Sequence, residues 1–115
     1  MLPKINPETT QSWQNLEDHF AQNDFDFRSL FQQNPNRFND FSIKRPGYLF
    51  DFSKNLIDQE TLNLLLKLAE ETQLKSAISA MFEGQKINET EDRAVLHTAL
   101  RDFSDDEILV DGENI

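Results

Sequence analysis

The chain has no cysteine, and this absence excludes two kinds of stabilising site. Without thiols the protein can form neither a disulfide framework nor a zinc site with thiolate ligands. Glycine is also rare. Gly47, Gly84 and Gly112 stand far apart, so no glycine-rich loop is available to cradle a phosphate group. Any chemistry that this sequence supports has to come from other side chains.

Basic residues are few as well, with 11 Lys and Arg against 21 Asp and Glu and a formal net charge of -10. This balance argues against nucleic acid or an anionic membrane as a general partner, because both are negatively charged. Long apolar runs are missing too. The first residues have no apolar core of signal-peptide length, and no later stretch is long enough to span a bilayer. These absences favour a soluble, cytoplasmic protein.

What the sequence does contain is material for one small domain. A chain of 115 residues can build a modest core, although its hydrophobic fraction of 37% is low for a globular protein. Ten phenylalanines supply much of the apolar surface. Five of them fall in one N-terminal stretch: Phe25, Phe27, Phe31, Phe38 and Phe41.

Capping residues and apolar spacing predict helices in the first third of the chain. Asn6 before Pro7 is a good helix start, and apolar side chains on one face extend the prediction over about residues 7–22. Asp26 can cap a second, shorter helix that ends before Pro35, because the residue before a proline avoids the helical region. A further turn follows.

The middle of the chain combines a strand with two helices. Aromatic residues alternate with others from residue 48 to residue 53, which predicts a half-buried strand. Asp58 is placed to cap the next helix. Leucine- and alanine-rich stripes then predict two consecutive helices, of which the second ends at Gly84 in the left-handed conformation.

The last residues predict a hairpin. Residues 108–110 (ILV) are strand-like, and Asp111 with Gly112 is a strong signal for a tight turn. Only three residues follow, so we interpret residues 1–115 as a single piece of a longer chain, cut within a hairpin near 108–115. The predicted fold class is mainly α with short β elements.

Histidines and acidic residues give no indication of a metal site. His19 and His97 are far apart and have no partner at a ligand spacing, and His19 is interpreted as a surface residue. The acidic run Asp102, Asp105, Asp106 and Glu107 does not match a calcium loop and is interpreted as a solvated loop.

A helix is predicted in the second half of residues 84–101, because the apolar residues 95, 96, 99 and 100 recur at helical spacing, and its cap is Asn88 or Thr90. One group of basic residues on this helix stands out. Arg93, His97 and Arg101 recur every four residues, which predicts that they line one face of a helix. Two interpretations stay open on residue chemistry alone. Arg93 can pair with Glu89 while Arg101 offsets the helix's negative end, or the basic face meets carboxylates or a substrate site supplied by other parts of the polypeptide.

Residues 84–101 (GQKINETEDRAVLHTALR), the signature segment, closely resemble the KINxTExRAVLHxALR segment of the phosphoglucose isomerase family. Further matches follow the family's order along nearly the whole chain. They are the segments NPNRF at 34–38, DFSKN at 51–55, AMFEG at 80–84 and VDG at 110–112. The Arg-Asp-Phe stretch at residues 101–103 departs from the family, in which many members have Asn after the arginine.

The resemblance implies the N-terminal helical portion of a larger α/β sugar isomerase. Enzymes of that family interconvert glucose 6-phosphate and fructose 6-phosphate in glycolysis and gluconeogenesis. They open the sugar ring and move a proton between C2 and C1 through an enediol, with a carboxylate base and no cofactor. Full-length members are homodimers. The family's base, ring-opening groups and phosphate loop come from later sequence, so no catalytic or substrate-binding residue can be assigned here, and no metal ligand either.

Two functions are therefore weighed. In the first, the chain is a part of this isomerase that is inactive alone, and its partner is the remainder of the same polypeptide. Arg93 and His97 would then anchor the signature segment to the catalytic domain without touching the chemistry. In the second, the chain is a free-standing helical interaction module without enzymatic activity. A reading frame that continues into a Ser/Thr-rich phosphate loop would favour the first.

Overall fold

The computed structural model describes residues 2–115, of which 45% are helical and 12% lie in strands, so the mainly α prediction is confirmed. The helices are α1 (Gln11–Gln22), α2 (Phe27–Gln33), α3 (Arg37–Asp40), α4 (Gln59–Glu71) and α5 (Leu74–Phe82). The strands are β1 (Ser42–Arg45), β2 (Tyr48–Asp51), β3 (Leu109–Val110) and β4 (Glu113–Asn114). None of the helices in this part of the chain is long and apolar enough to cross a membrane.

The chain divides into two compact units. Gln11–Lys67 form one unit, and residues 2–10 together with Leu68–Ile115 form the other. The first unit holds α1 to α3, the β1–β2 hairpin and most of α4. The second contains α5, the signature segment and the β3–β4 hairpin.

Two predicted helix caps are confirmed. The Asp26 carboxylate accepts hydrogen bonds from the Ser29 amide at 3.0 Å and from the Ser29 hydroxyl at 2.9 Å, and α2 begins at the next residue. Asp58 accepts from the amide of Thr61 at 2.8 Å and stands just before α4. Each aspartate satisfies an amide that has no partner within its helix.

The helix predicted over residues 7–22 is wrong in its first turn. Asn6 does accept from the Glu8 amide at 3.1 Å, but it caps only a 3₁₀ turn, Pro7–Thr9. Thr10 is extended, and α1 starts at Gln11. The threonine side chains explain the break: the Thr10 hydroxyl bonds the Pro7 carbonyl at 2.6 Å, in competition with continued helix hydrogen bonding.

The predicted strand at residues 48–53 exists as β2 but is not half-buried. It pairs with β1, a strand that no pattern in the sequence indicated, and the turn between them places Gly47 at φ +77°. All four residues of β2 are exposed, including Tyr48 at 79% and Phe50 at 66%. The alternation therefore reflects a two-stranded hairpin, which has no second layer of its own.

In the second unit the predicted end of α5 and the predicted C-terminal hairpin are both confirmed. Gly84 has φ +70°, and a Cβ there would lie 3.3 Å from Cγ2 of Val110. β3 and β4 are antiparallel, and their turn places Asp111 at φ +54° and Gly112 at φ +84°. Two successive left-handed residues are what a type I′ hairpin turn requires.

Candidate functional site

The signature segment is not the helix that its apolar periodicity predicts. Between α5 and the 3₁₀ turn Ala99–Arg101 the chain forms a turn and a stretch without regular structure. Asn88 and Arg93 bond each other through both backbone N–H···O pairs at 3.1 Å, and Asp92 between them has φ +51°. The predicted cap at Asn88 or Thr90 is also wrong, because no helix begins directly after either residue. The Thr90 hydroxyl instead donates to the side-chain oxygen of Asn88 at 2.8 Å.

Local polar side chains give the physical reason for this difference. Asn, Thr and Asp compete with helix formation by bonding nearby groups, and Asn and Asp tolerate left-handed backbone. The Asn88 amide also donates to Glu91 at 3.1 Å. These contacts close a tight turn over residues 88–93, and they outweigh the apolar spacing of the residues that follow.

Arg93 and His97 nevertheless lie close to one another. Both are exposed, and both line a cavity of about 350 Å³ with apolar side chains that include Leu96 and Leu100. Arg101 does not join them. It lines a different cavity, with Phe82 and Ile108, and its guanidinium donates to the His97 carbonyl at 3.3 Å. The loop therefore brings together two of the three predicted basic residues.

The nearby carboxylates leave most of the Arg93 guanidinium free to bind another group. The pairing of Arg93 with Glu89, one of the two open interpretations, does not form, because Glu89 pairs with Lys4 at 2.6 Å. Arg93 instead reaches Glu91 over 4.0 Å, and its side chain is 74% exposed. An ion pair this long and exposed contributes little. The guanidinium thus retains most of its hydrogen-bonding capacity for a carboxylate or carbonyl partner.

Lys86 joins the signature segment to the β3–β4 hairpin. Its ammonium group lies 3.3 Å from Asp92 and 3.1 Å from Asp111. The Asp111 carboxylate, and then that of Asp92, raise the pKa of Lys86 above its ordinary value. Both aspartates have left-handed backbone, which Asp tolerates better than most L-residues. Lys86 therefore connects the turn of the signature segment to the turn of the β3–β4 hairpin.

The first unit is built around Arg37, the arginine of the NPNRF segment at residues 34–38. The side chain is 2% exposed. Its Nε donates to the Ser53 carbonyl, and its Nη2 donates to the carbonyls of Asn55 and Ile57, each at 2.8 Å. Burial lowers the pKa of Arg37, and nearby Asp58 opposes that shift. Arg37 thereby fixes the chain between β2 and α4.

Aromatic rings complete the surroundings of Arg37. The guanidinium carbon lies 4.3 Å from the centroid of Phe41 and 5.6 Å from that of Phe31, distances at which a cation is attracted to a ring face. Phe41 is itself 2% exposed. An arginine among clustered phenylalanines was the one feature of the sequence that could have indicated this site. Its carbonyl partners lie 16 to 20 residues further along the chain, so a local pattern does not identify them.

His19 is not the surface residue that was expected. Its side chain is 17% exposed, and its Nε2 lies 3.0 and 3.1 Å from the two carboxylate oxygens of Asp58. Asp58 thus caps α4 and holds α1 at once. Burial by itself raises the pKa of Asp58, but donors from Thr61 and His19 outweigh it, so the pKa lies below the ordinary value.

No group of three His, Asp or Glu side chains within residues 2–115 is arranged to hold a metal ion. The acidic run from Asp102 to Glu107 forms an exposed loop, as predicted, in which Asp102 accepts from the Ser104 amide at 2.9 Å. The described arrangement is therefore one of anchoring contacts: a buried arginine, a bridging lysine, and a cavity with an available guanidinium and imidazole.

Comparison with known families agrees with these features of the sequence. The sequence model of the phosphoglucose isomerase family matches residues 51–115, which is more than half of the chain. The match includes Asp58, Lys86, Arg93 and His97, and it ends with the β3–β4 hairpin. The chain belongs to the phosphoglucose isomerase family.

Proposed function

We propose that this chain is the N-terminal part of a cytoplasmic aldose–ketose isomerase that interconverts glucose 6-phosphate and fructose 6-phosphate. The observation that carries the proposal is the family match over residues 51–115, together with the order of the shorter motifs along the chain. The reaction needs a base that moves a proton between C2 and C1 and donors that stabilise the enediolate oxygen. In the family those groups follow the residues of this chain, so the role of this chain is to support the catalytic part of the enzyme.

Within that enzyme Arg93 and His97 anchor the signature segment against the catalytic part of the polypeptide. Two features support this role: the guanidinium is 74% exposed with one long ion pair, and it shares a cavity with His97. Leu100 within the segment and Phe103 just after it are exposed apolar side chains, at 81% and 97%. A carboxylate or carbonyl opposite Arg93 would form a charge-assisted hydrogen bond.

A coupled assay tests the proposal directly. Glucose 6-phosphate formed from fructose 6-phosphate is followed with its dehydrogenase, once with the complete protein and once with the 115-residue chain. We expect turnover from the complete protein as a homodimer and none from the chain alone. A properly folded complete protein without activity would contradict the proposal and favour an interaction module, and turnover by the chain would place the catalytic groups within these residues.

A further inference from the structure

His19 lies in a hydrogen-bonding arrangement that fits one form of its imidazole ring. The Nε2 atom faces the Asp58 carboxylate, which accepts only, so Nε2 carries a proton. The other ring nitrogen, Nδ1, lies 3.3 Å from Nδ2 of Asn23. The neutral ring protonated at Nε2 satisfies both neighbours, because it donates to Asp58 and accepts from Asn23.

Asn23 is held in its present orientation by a second contact. Its Nδ2 also donates to the backbone carbonyl of His19 at 2.8 Å, one helical turn earlier. That carbonyl belongs to the last turn of α1, where acceptors lack partners within the helix. The two protons of one amide group thus serve the imidazole ring and the end of the helix together.

A second proton on His19 is incompatible with this orientation. The imidazolium donates from both nitrogens, so Nδ1–H would point at the Nδ2 donor of Asn23. The conflict is relieved when the Asn23 amide turns over and offers its oxygen to Nδ1–H. That rotation removes the bond from Nδ2 to the His19 carbonyl. Protonation therefore has two opposite consequences, a stronger contact with Asp58 and a lost cap on α1.

We propose that His19 and Asn23 form a proton-operated switch at the C-terminal end of α1, with Asp58 as its fixed counter-ion. The other charged groups beside the ring are Asp18 on α1 and Glu60 and Lys67 on α4, which line a cavity of about 250 Å³ with His19. The charge of Arg37 also interacts with that of Asp58. The neutral state caps the helix, and the protonated state releases it.

Nitrogen-15 NMR of both imidazole rings in the 115-residue chain tests the switch. His97 is an internal reference, because its ring is exposed and makes no hydrogen bond in the described part of the chain. With both rings neutral we expect His19 to be almost entirely the Nε2–H tautomer and His97 to contain a larger share of the Nδ1–H form. On acidification the side-chain amide of Asn23 and the backbone amides of residues 20–24 should shift together with the His19 ring.

Two variants then change the switch in opposite directions. Asn23→Ala removes the Nδ2 donor that faces Nδ1 of His19, so the His19 tautomer ratio should move toward that of His97. Asn23→Asp offers a carboxylate to Nδ1–H, so His19 should keep its second proton to higher pH than in the parent chain. Circular dichroism shows whether each variant is folded, and Asn15→Ala on the same helix is the matched control. A His19 ring that matches His97 in tautomer ratio, ignores both variants or titrates without moving residues 20–24 would overturn the proposal.

Discussion

Two arginines, one in each unit, show how differently the same side chain is used. Arg37 is buried, and its guanidinium donates to three carbonyls and lies over two aromatic rings. Arg93 is exposed and reaches one carboxylate over 4.0 Å. Three backbone carbonyls satisfy the Nε and Nη2 donors of Arg37, and at 2% exposure its guanidinium is out of reach of another molecule. The exposed Arg93 guanidinium can still donate hydrogen bonds to another part of the polypeptide.

The largest effect is expected from Arg37→Met. This change leaves three carbonyls without their donor in the interior of the first unit. Because removing one side of a buried charged contact typically costs about 3–5 kcal/mol, we expect a loss of that size in the free energy of unfolding. Urea unfolding followed by the fluorescence of Trp13, which lies in the same unit, measures it.

Arg28→Met is the matched control for that experiment. Arg28 is exposed on α2, so its loss should change the unfolding free energy by less than about 0.5 kcal/mol. Arg37→Lys separates charge from geometry, because an ammonium group on a flexible stem cannot reproduce the planar fork. If Arg37→Met were as stable as Arg28→Met, the carbonyl contacts would not hold the unit together.

A smaller effect is expected from Asp58→Ala. The alanine removes the cap of α4 and the partner of His19, and the loss of such a cap typically costs about 1–2 kcal/mol. The pKa of Asp58 lies below its model-peptide value of 3.8 in the folded chain. Its charged form therefore stabilises the fold above about pH 4, and this contribution is lost as the pH falls further.

Asp58→Asn isolates that charge, since asparagine can still cap a helix. Urea midpoints at neutral pH and near pH 3 compare the variant with the parent chain. We expect the parent to be more stable at neutral pH and the difference to shrink in acid. A difference that is constant with pH would mean that the Asp58 charge makes no net contribution.

Lys86→Met should act locally in the second unit. The variant loses the two contacts that link the signature segment to the β3–β4 hairpin, so amide hydrogen exchange should become faster in residues 86–93 and 109–114. The pKa of Lys86 is raised in the folded chain, so this contribution is present at neutral pH and is lost as the pH rises through that pKa. Lys75→Met on α5, outside these contacts, is the control. Unchanged exchange in both segments would contradict the link.

Arg93→Ala should have the smallest effect in the 115-residue chain. An exposed side chain with one long ion pair contributes less than about 0.5 kcal/mol to stability. In the complete enzyme the same change should cost about 2–5 kcal/mol and lower turnover, provided that a buried carboxylate is left unpaired. Thermal unfolding of both proteins, with Arg93→Lys as the conservative variant, makes the comparison. Equal losses would place the Arg93 partner within this chain.

Two caps and two turns were predicted correctly from neighbouring residues. Asp26, Asp58, Gly84 and the Asp111–Gly112 turn each act within a few residues of themselves, and the sequence identifies them correctly. The signature helix failed although its apolar spacing is regular. Competing polar bonds within residues 88–93, and the left-handed backbone of Asp92, decided that conformation.

The sequence by itself determined the family, the helical class, the caps of α2 and α4 and the turns at Gly84 and Gly112, because these depend on residue type and short spacing. The tertiary structure alone decided the surroundings of Arg37, His19 and Lys86. The partners of Arg37 lie 16 to 20 residues away in the chain, and the partner of His19 lies 39 residues away. The more distant partner of Lys86 lies 25 residues away. Burial and pairing of a charge depend on which backbone and side-chain groups the fold brings within about 3 Å, and no local pattern carries that information.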